Sequence, residues 1–135
     1  MTKDDIIKRV NALGLPEGSY VVFGSCPMAL AGLREANDID LLVTPELYVE
    51  LQQQGWQKIQ KGPRDTPVVF EVFEAHDNWD FSSYRPTLAQ LLATATIVDG
   101  VPFASLAEVR AWKLASARPK DLADVDLIDK NLRKG

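Results

Sequence analysis

Residues 21–44 read VVFGSCPMALAGLREANDIDLLVT, and this stretch combines two apolar runs with two carboxylates. The first run ends at Gly24, and Ser25 is typical of the residue that caps a helix. The second run contains Asp38 and Asp40 at alternate positions. The pattern predicts a buried strand, a short helix, a polar turn and a second strand that carries the two acids.

Side chains alternate between the faces of a strand, so Asp38 and Asp40 are predicted to share one face while Ile39 and Leu41 enter the core. Their Cα atoms would lie about 6.6 Å apart. Two carboxylates held together resist joint ionisation, and a hard divalent cation with oxygen ligands, such as Mg²⁺, removes that cost. The alternative is an exposed strand face on which both aspartates only aid solubility.

The Gly24–Ser25 turn is the second feature of the stretch that suggests a function. Backbone N–H groups and the helix dipole favour an anion where a helix begins. A glycine at position 24 lets a phosphate approach the backbone closely. The order of these parts predicts a phosphate cradle beside a metal clamp.

The remaining patterns predict a small mixed sheet with flanking helices. Predicted helices cover residues 3–13, 25–33, 45–55, 86–95, 105–117 and 118–132. Predicted strands cover residues 20–24, 38–43, 56–60 and 68–75. Residues 96–105 read as a hairpin around Asp99-Gly100, or as two short pieces with Pro102 at an edge. We therefore expect one α+β (mixed α/β) domain over residues 1–135.

Composition excludes several classes of protein. The net charge of −4 argues against broad nucleic-acid binding. Cys26 is the only cysteine and His76 the only histidine, so neither an internal disulfide nor a structural zinc site is expected. No apolar run is long enough to span a membrane and the first ten residues do not read as a signal peptide, so we expect a cytoplasmic protein.

Residues 21–43 resemble the nucleotidyltransferase superfamily related to DNA polymerase β. The signature of that superfamily is an apolar strand, Gly-Ser or Gly-Gly, a helix, and Asp-x-Asp or Asp-x-Glu on the next strand. Residues 98–128, VDGVPFASLAEVRAWKLASARPKDLADVDLI, resemble the C-terminal stretch of small nucleotidyltransferase-like proteins, including the abortive-infection toxin type. The resemblance implies a nucleotidyltransferase-like fold.

The resemblance also implies a reaction. Asp38 and Asp40 would hold two Mg²⁺ ions, and a nucleoside monophosphate, most of all AMP, would pass from an NTP to a hydroxyl acceptor with release of pyrophosphate. The acceptor would be a small molecule, a protein or an RNA end. A third carboxylate is usual, as metal ligand or as base. Glu71 is favoured because it lies in the middle of the predicted strand, and Glu74 is the competitor, so this assignment stays open.

The residues expected to bind the nucleotide are mostly cations near the turn or in the last two helices. They are Gly24, Ser25, Arg34, Lys113, Arg118 and Lys120. For Lys113 and Lys120 the alternative is a solvated helix face. Arg118 would alternatively form a structural ion pair with Asp121. Cys26 and Trp112 are expected to pack in the core, and His76 to lie in a loop.

Two other functions remain open at this level. One is a nucleotide-binding or partner-binding protein of the same fold with weak or no catalysis, of a toxin–antitoxin-like kind. The other is a plain aspartate-rich metal-binding module.

A domain of this small size, whose predicted cleft looks incomplete, also favours a homodimer or a heteromer.

Overall fold

The computed structural model describes residues 1–134, and the side chains of residues 1–133. Gly135, the last residue of the predicted domain, lies outside this part. The elements in chain order are α1 (Lys3–Leu13), β1 (Tyr20–Phe23), α2 (Cys26–Leu30), β2 (Ile39–Val43), α3 (Pro45–Gln53), β3 (Gln57–Lys58), β4 (Val68–Phe70), β5 (Phe73–His76), α4 (Leu88–Ala93), β6 (Thr96–Val98), β7 (Val101–Phe103), α5 (Leu106–Ser116) and α6 (Pro119–Lys134).

The strands form one mixed sheet in the order β3-β4-β5-β2-β1-β7-β6. β2 runs antiparallel to β1 and parallel to β5, while β1 runs parallel to β7. β6 and β7 form the predicted hairpin, with Asp99 and Gly100 at its turn. The predicted α+β architecture with a mixed sheet is confirmed.

Helices cover both faces of this sheet. On β1, Tyr20 and Val22 join a buried cluster with side chains of α1 and α3, whereas Val21 and Phe23 join a second cluster with side chains of α4, α5 and α6. Trp112 of α5 belongs to the second cluster, as predicted. The strict alternation arises because successive side chains of a strand point to opposite faces.

The same alternation on β2 decides where Asp40 points. Ile39 and Leu41 are buried in the cluster of α1 and α3, and Leu42 is buried in the cluster of α4 to α6. Asp40 therefore projects on the side that α5 and α6 cover. This side carries the basic residues of the C-terminal helices.

The predicted single strand over residues 68–75 is wrong. Residues 71 and 72 form a tight turn, and Phe70 pairs with Phe73 in an antiparallel hairpin of β4 and β5. Glu71 has a φ of 51° and is exposed, so it does not lie in the middle of a strand. Because β5 begins after this turn, Glu74 comes to lie opposite Asp40 in the parallel pairing of β2 and β5.

Helix starts follow the sequence signals closely. Thr2, Thr44 and Ser105 each accept a hydrogen bond from a backbone N–H of the first helical turn. The Glu108 side chain accepts a hydrogen bond from the Tyr84 hydroxyl. Along residues 1–134 no helix is both long enough and apolar enough to cross a membrane.

Candidate active site

A cavity of about 410 Å³ opens on the side of the sheet that Asp40 faces. Its lining includes Ser25 of the turn after β1, Asp40 of β2, and Glu74 and His76 of β5. Residues of α5, of α6 and of the loop before β4 complete the walls. The cavity therefore joins the two halves of the sequence that carry the predicted site residues.

Asp40, Glu74 and His76 form a compact group of potential metal ligands. One ligand atom from each side chain lies within 4.8 Å of the other two. Asp40 and Glu74 are direct neighbours in the β2–β5 pairing, and His76 Nε2 lies 3.3 Å from Asp40 Oδ1. Two carboxylates and an imidazole at this spacing fit the coordination of one divalent cation.

Gly24 lies directly against Asp40. The φ of Gly24 is +66°, and a Cβ atom there would lie 2.2 Å from Asp40 Oδ2 and 2.9 Å from Asp40 Cβ. Phe23 is paired with Asp40 in the β1–β2 ladder, and this pairing brings the turn to the acid. The predicted proximity of the turn and the second aspartate is thus present in the structure.

The structure does not bring Asp38 or Glu71 to this group. Asp38 lies in the bend before β2, is exposed, and does not line the cavity. The Cys26 Sγ–H group donates to the Asp38 carbonyl, and β2 begins only at the next residue. The strand from which Asp38 was expected to project therefore begins one residue after it. Glu71 is in the β4–β5 turn, and Glu74, its competitor, lies in the cavity.

The loop before β4 adds two residues that the sequence did not single out. The Lys61 ammonium donates a hydrogen bond to Glu74 in an ion pair. Burial would lower the pKa of Lys61, but the hydrogen bond and the charge of Glu74 outweigh it and raise that pKa. Asp65 Oδ1 lies 3.4 Å from His76 Nδ1. Neither contact has a local sequence signal, so the sequence of residues 61–67 predicts only a turn.

Lys113 of α5 is buried rather than solvated, with 3% of its surface exposed. Its Nζ lies 2.9 Å from Asp124 Oδ2 and 3.5 Å from Asp121 Oδ1, both on α6. It also lies 4.4 Å from the centre of the Trp112 ring. The predicted alternative of a solvated helix face is therefore wrong for this lysine, which both lines the cavity and ties α5 to α6.

Other cations surround this buried group. Arg34 Nη1 donates to Asp124 over 2.8 Å, and Arg118 holds Asp121 with two hydrogen bonds of 2.7 and 3.2 Å, which confirms the expected ion pair. Burial would raise the pKa of Asp121, but the hydrogen bonds from Arg118 outweigh it and lower that pKa. Lys120 is exposed and lines the cavity.

Two tryptophans form the apolar part of the wall. Trp79 and Trp112 are nearly fully buried, and their ring centroids lie 5.0 Å apart. Within the part of the chain that the structure describes, neither indole N–H has a hydrogen-bond partner. Each is a donor for which a ligand oxygen would be a good partner. His76 packs edge-on against Trp79 at 4.8 Å.

Cys26 has the packing role that the sequence predicted. Its side chain is buried. Burial, with the negative charge of Asp40 nearby, raises the pKa of the thiol to about 12. A thiol held in its neutral form is a poor nucleophile.

The fold of this chain is similar to that of a solved structure. The crystal structure of ANT(2")-Ia in complex with adenylyl-2"-tobramycin is similar to this chain with a TM-score of 0.53, over 94% of this chain and 85% of that chain. ANT(2")-Ia is a nucleotidyltransferase. This chain has a nucleotidyltransferase-like fold.

The similarity confirms the fold that the resemblance implied, although the neighbour is not of the abortive-infection toxin type. Sequence identity between the two chains is 16%, so the likeness establishes the fold and leaves the reaction to the chemistry of the cavity. No protein-family model and no curated protein matches the sequence.

Proposed function

We propose that this protein transfers a nucleoside monophosphate from an NTP to a hydroxyl group of a small molecule and releases pyrophosphate. The observation that carries the proposal is one cavity that contains the Asp40–Glu74–His76 group, the Ser25 turn and a basic wall. The nucleotidyltransferase-like fold supports the same reaction.

In this proposal Asp40, Glu74 and His76 hold a divalent cation. Such a cation, when bound, neutralises phosphate charge and polarises the phosphoryl group under attack. The three ligand atoms account for one ion. The second Mg²⁺ ion implied by the resemblance would draw on Asp38, and this remains a prediction.

The turn and the basic wall are proposed to bind the triphosphate. Within the described residues the Ser25 side chain makes no capping hydrogen bond to its own helix, so its hydroxyl is available to a ligand. Arg118, with 51% of its side chain exposed, and the exposed Lys120 offer charged donors in the same cavity. Charge-assisted hydrogen bonds to phosphate oxygens are shorter and stronger than neutral ones.

The transfer step then uses groups that this chain supplies. The acceptor oxygen forms a bond to the α-phosphorus, and the bond from that phosphorus to the α–β bridging oxygen breaks. The proton of the attacking hydroxyl passes to a carboxylate of the Asp40–Glu74 pair. The negative charge that develops on the leaving pyrophosphate is stabilised by the cations of the wall, Arg118 and Lys120 among them.

The acceptor is proposed to be a small molecule with hydroxyl groups and positive charge. The cavity volume of about 410 Å³ suits a small ligand. Asp65 and Asp80 line the cavity beside the aromatic side chains of Trp79 and Phe81, a combination that favours a cation. The neighbouring structure holds an adenylylated small molecule, adenylyl-2"-tobramycin, which is the reason to try AMP transfer first. A protein or RNA acceptor, an oligomeric or heteromeric state, a cytoplasmic location and a single-domain chain remain predictions.

A second function is favoured by one specific observation. One acid of the cavity is already neutralised from within, because Glu74 forms an ion pair with Lys61. A protein that binds a nucleotide or a partner without efficient transfer would tolerate this arrangement.

A transfer assay separates the two functions. Purified protein is incubated with α-³²P-labelled ATP, GTP, CTP or UTP, with Mg²⁺ or Mn²⁺, and with tobramycin and related hydroxyl-bearing amines as acceptors. We expect the wild-type protein to label the acceptor. Glu74→Gln should reduce the rate of this transfer about 10²- to 10⁴-fold, and the matched exposed variant Glu71→Gln should leave it unchanged. Tight nucleotide binding without transfer would support the second function. An equal loss of transfer activity in both variants would contradict the assignment of Glu74 to the active site.

A further inference from the structure

The metal-ligand group differs from an all-oxygen site because it contains an imidazole. His76 Nε2 lies 3.3 Å from Asp40 Oδ1, and Glu74 completes the group within 4.8 Å. Two ligands that bind one ion side by side at bond lengths of 2.0–2.2 Å lie about 3 Å apart. The observed spacing therefore suits His76 as a ligand of the same ion as Asp40.

A second carboxylate lies behind the histidine. Asp65 Oδ1 is 3.4 Å from His76 Nδ1, the ring nitrogen opposite the one that approaches Asp40. When Nδ1–H donates to Asp65, the lone pair of Nε2 points toward Asp40. A carboxylate behind a histidine ligand is a common device that fixes the tautomer and the orientation of the ring.

The ring is also held by packing. The His76 side chain has 11% of its surface exposed and lies edge-on against Trp79, with ring centroids 4.8 Å apart. The ring is thus fixed on three sides, by Asp40, Asp65 and Trp79. An imidazole held in this way is a preorganised ligand rather than a mobile surface group.

We infer that Asp40, Glu74 and His76 bind one divalent transition-metal ion, with Asp65 as the positioning residue of His76, and that the site prefers Mn²⁺, Co²⁺ or Zn²⁺ to Mg²⁺. Mg²⁺ favours oxygen ligands and near-ideal octahedral geometry, whereas imidazole suits Zn²⁺ and other first-row transition metals, and Mn²⁺ is the transition metal that carboxylates also suit. The inference deepens the proposed function, because it concerns the metal of the same cavity. The Lys61 ammonium opposes binding of the ion, since it is a positive charge paired with one of the ligand carboxylates.

The test is calorimetric titration of the protein of residues 1–135 with MnCl₂ and, separately, with MgCl₂, in the absence of nucleotide. We expect tighter binding of Mn²⁺ by the wild-type protein. Loss of an outer-shell partner typically weakens metal binding about 10- to 100-fold, so Asp65→Asn should weaken Mn²⁺ binding by that factor and His76→Gln by at least as much. His76→Gln offers an amide oxygen in place of the nitrogen and should leave Mg²⁺ binding nearly unchanged. Glu71→Gln is the matched control.

The visible absorption spectrum of the Co²⁺ form provides a readout that does not depend on affinity. We expect its d–d bands to shift in His76→Gln, because a nitrogen ligand is replaced, and to stay unchanged in Glu71→Gln. Equal affinities of the wild-type protein for Mn²⁺ and Mg²⁺, or the same Co²⁺ spectrum in His76→Gln, would overturn the inference. Because no nucleotide is present, this outcome is independent of the transfer assay, and either proposal can fail while the other stands.

Discussion

Replacing Gly24 with alanine tests directly whether the turn after β1 lies against Asp40. The new Cβ atom would lie 2.2 Å from Asp40 Oδ2 and 2.9 Å from Asp40 Cβ. Both separations are shorter than any stable contact between these atoms. Either the Asp40 side chain leaves its position in the cavity or the β1–β2 pairing at Phe23 opens.

The magnitude follows from two separate costs. A left-handed φ costs a residue with a Cβ atom about 1–2 kcal/mol relative to glycine. Forcing extra volume into a packed position costs about 1–3 kcal/mol more. Gly14 separates the two costs, because its φ is +63°, almost that of Gly24, and a Cβ atom there meets nothing within 4 Å. Gly14→Ala should therefore carry only the first cost.

Urea unfolding of the wild-type protein and both variants, followed by circular dichroism, measures the difference. We expect Gly24→Ala to lower the free energy of unfolding by about 2–5 kcal/mol and Gly14→Ala by about 1–2 kcal/mol. Gly24→Ala should in addition weaken Mn²⁺ binding, because Asp40 is displaced, whereas Gly14→Ala should not. Equal destabilisation by the two substitutions, with equal metal affinity, would refute the contact.

Three further predictions concern the charges around the cavity. Lys61→Met removes the cation that neutralises Glu74, so the affinity for Mn²⁺ in calorimetry should rise, and a weaker affinity would contradict the competition. Lys113→Met removes the buried one of the two cations that hold Asp124 and leaves Arg34 in place, so we expect urea unfolding to show a loss of about 1–3 kcal/mol in the free energy of unfolding; a loss below about 1 kcal/mol, as for an exposed ion pair, would contradict it. The pKa of Asp121 is lowered from its usual 3.8, so its ionised form contributes stability that is present above that value and is lost as the pH falls through the lowered pKa. The difference in unfolding free energy between wild type and Asp121→Asn should therefore narrow as the pH falls from about 6 to about 2, and a constant difference would count against this.

Local patterns were enough to predict most elements. The predicted helix over residues 3–13 is α1 with the same bounds, because its apolar spacing, capping threonine and terminal glycine all act within a few residues. The hairpin at Asp99-Gly100 is equally local. The proximity of the Gly24 turn to the strand that carries Asp40 was also predicted, since β1 and β2 are adjacent in the sequence and pair directly.

The third carboxylate could not be predicted, because its place depends on a turn without the usual signals. Residues 68–75, VVFEVFEA, contain no Gly, Pro, Asn or Asp, yet Glu71 adopts a left-handed φ of 51° and ends β4. The turn therefore changes the side of the sheet that the following residues face, compared with an unbroken strand. Glu74 reaches Asp40 through this change and through the parallel pairing of β5 with β2.

His76 and Lys61 were missed for a related reason. His76 reads as a loop residue beside a polar stretch, but it ends β5 and pairs with Leu42. Lys61 belongs to a loop more than ten residues from Glu74 in sequence and meets it only in the folded chain. Contacts of this kind depend on the order of strands in the sheet, and the spacing of residues along the chain carries no record of that order.

The most direct test of the proposed reaction follows the α- and γ-phosphates of one nucleotide. Wild-type protein and Asp40→Asn are each incubated with Mn²⁺, tobramycin and ATP labelled at either the α- or the γ-position. We expect the α-label to enter the acceptor, the γ-label to leave as pyrophosphate, and both products to disappear in Asp40→Asn. Transfer of the γ-label to the acceptor, or equal product from Asp40→Asn, would contradict this expectation.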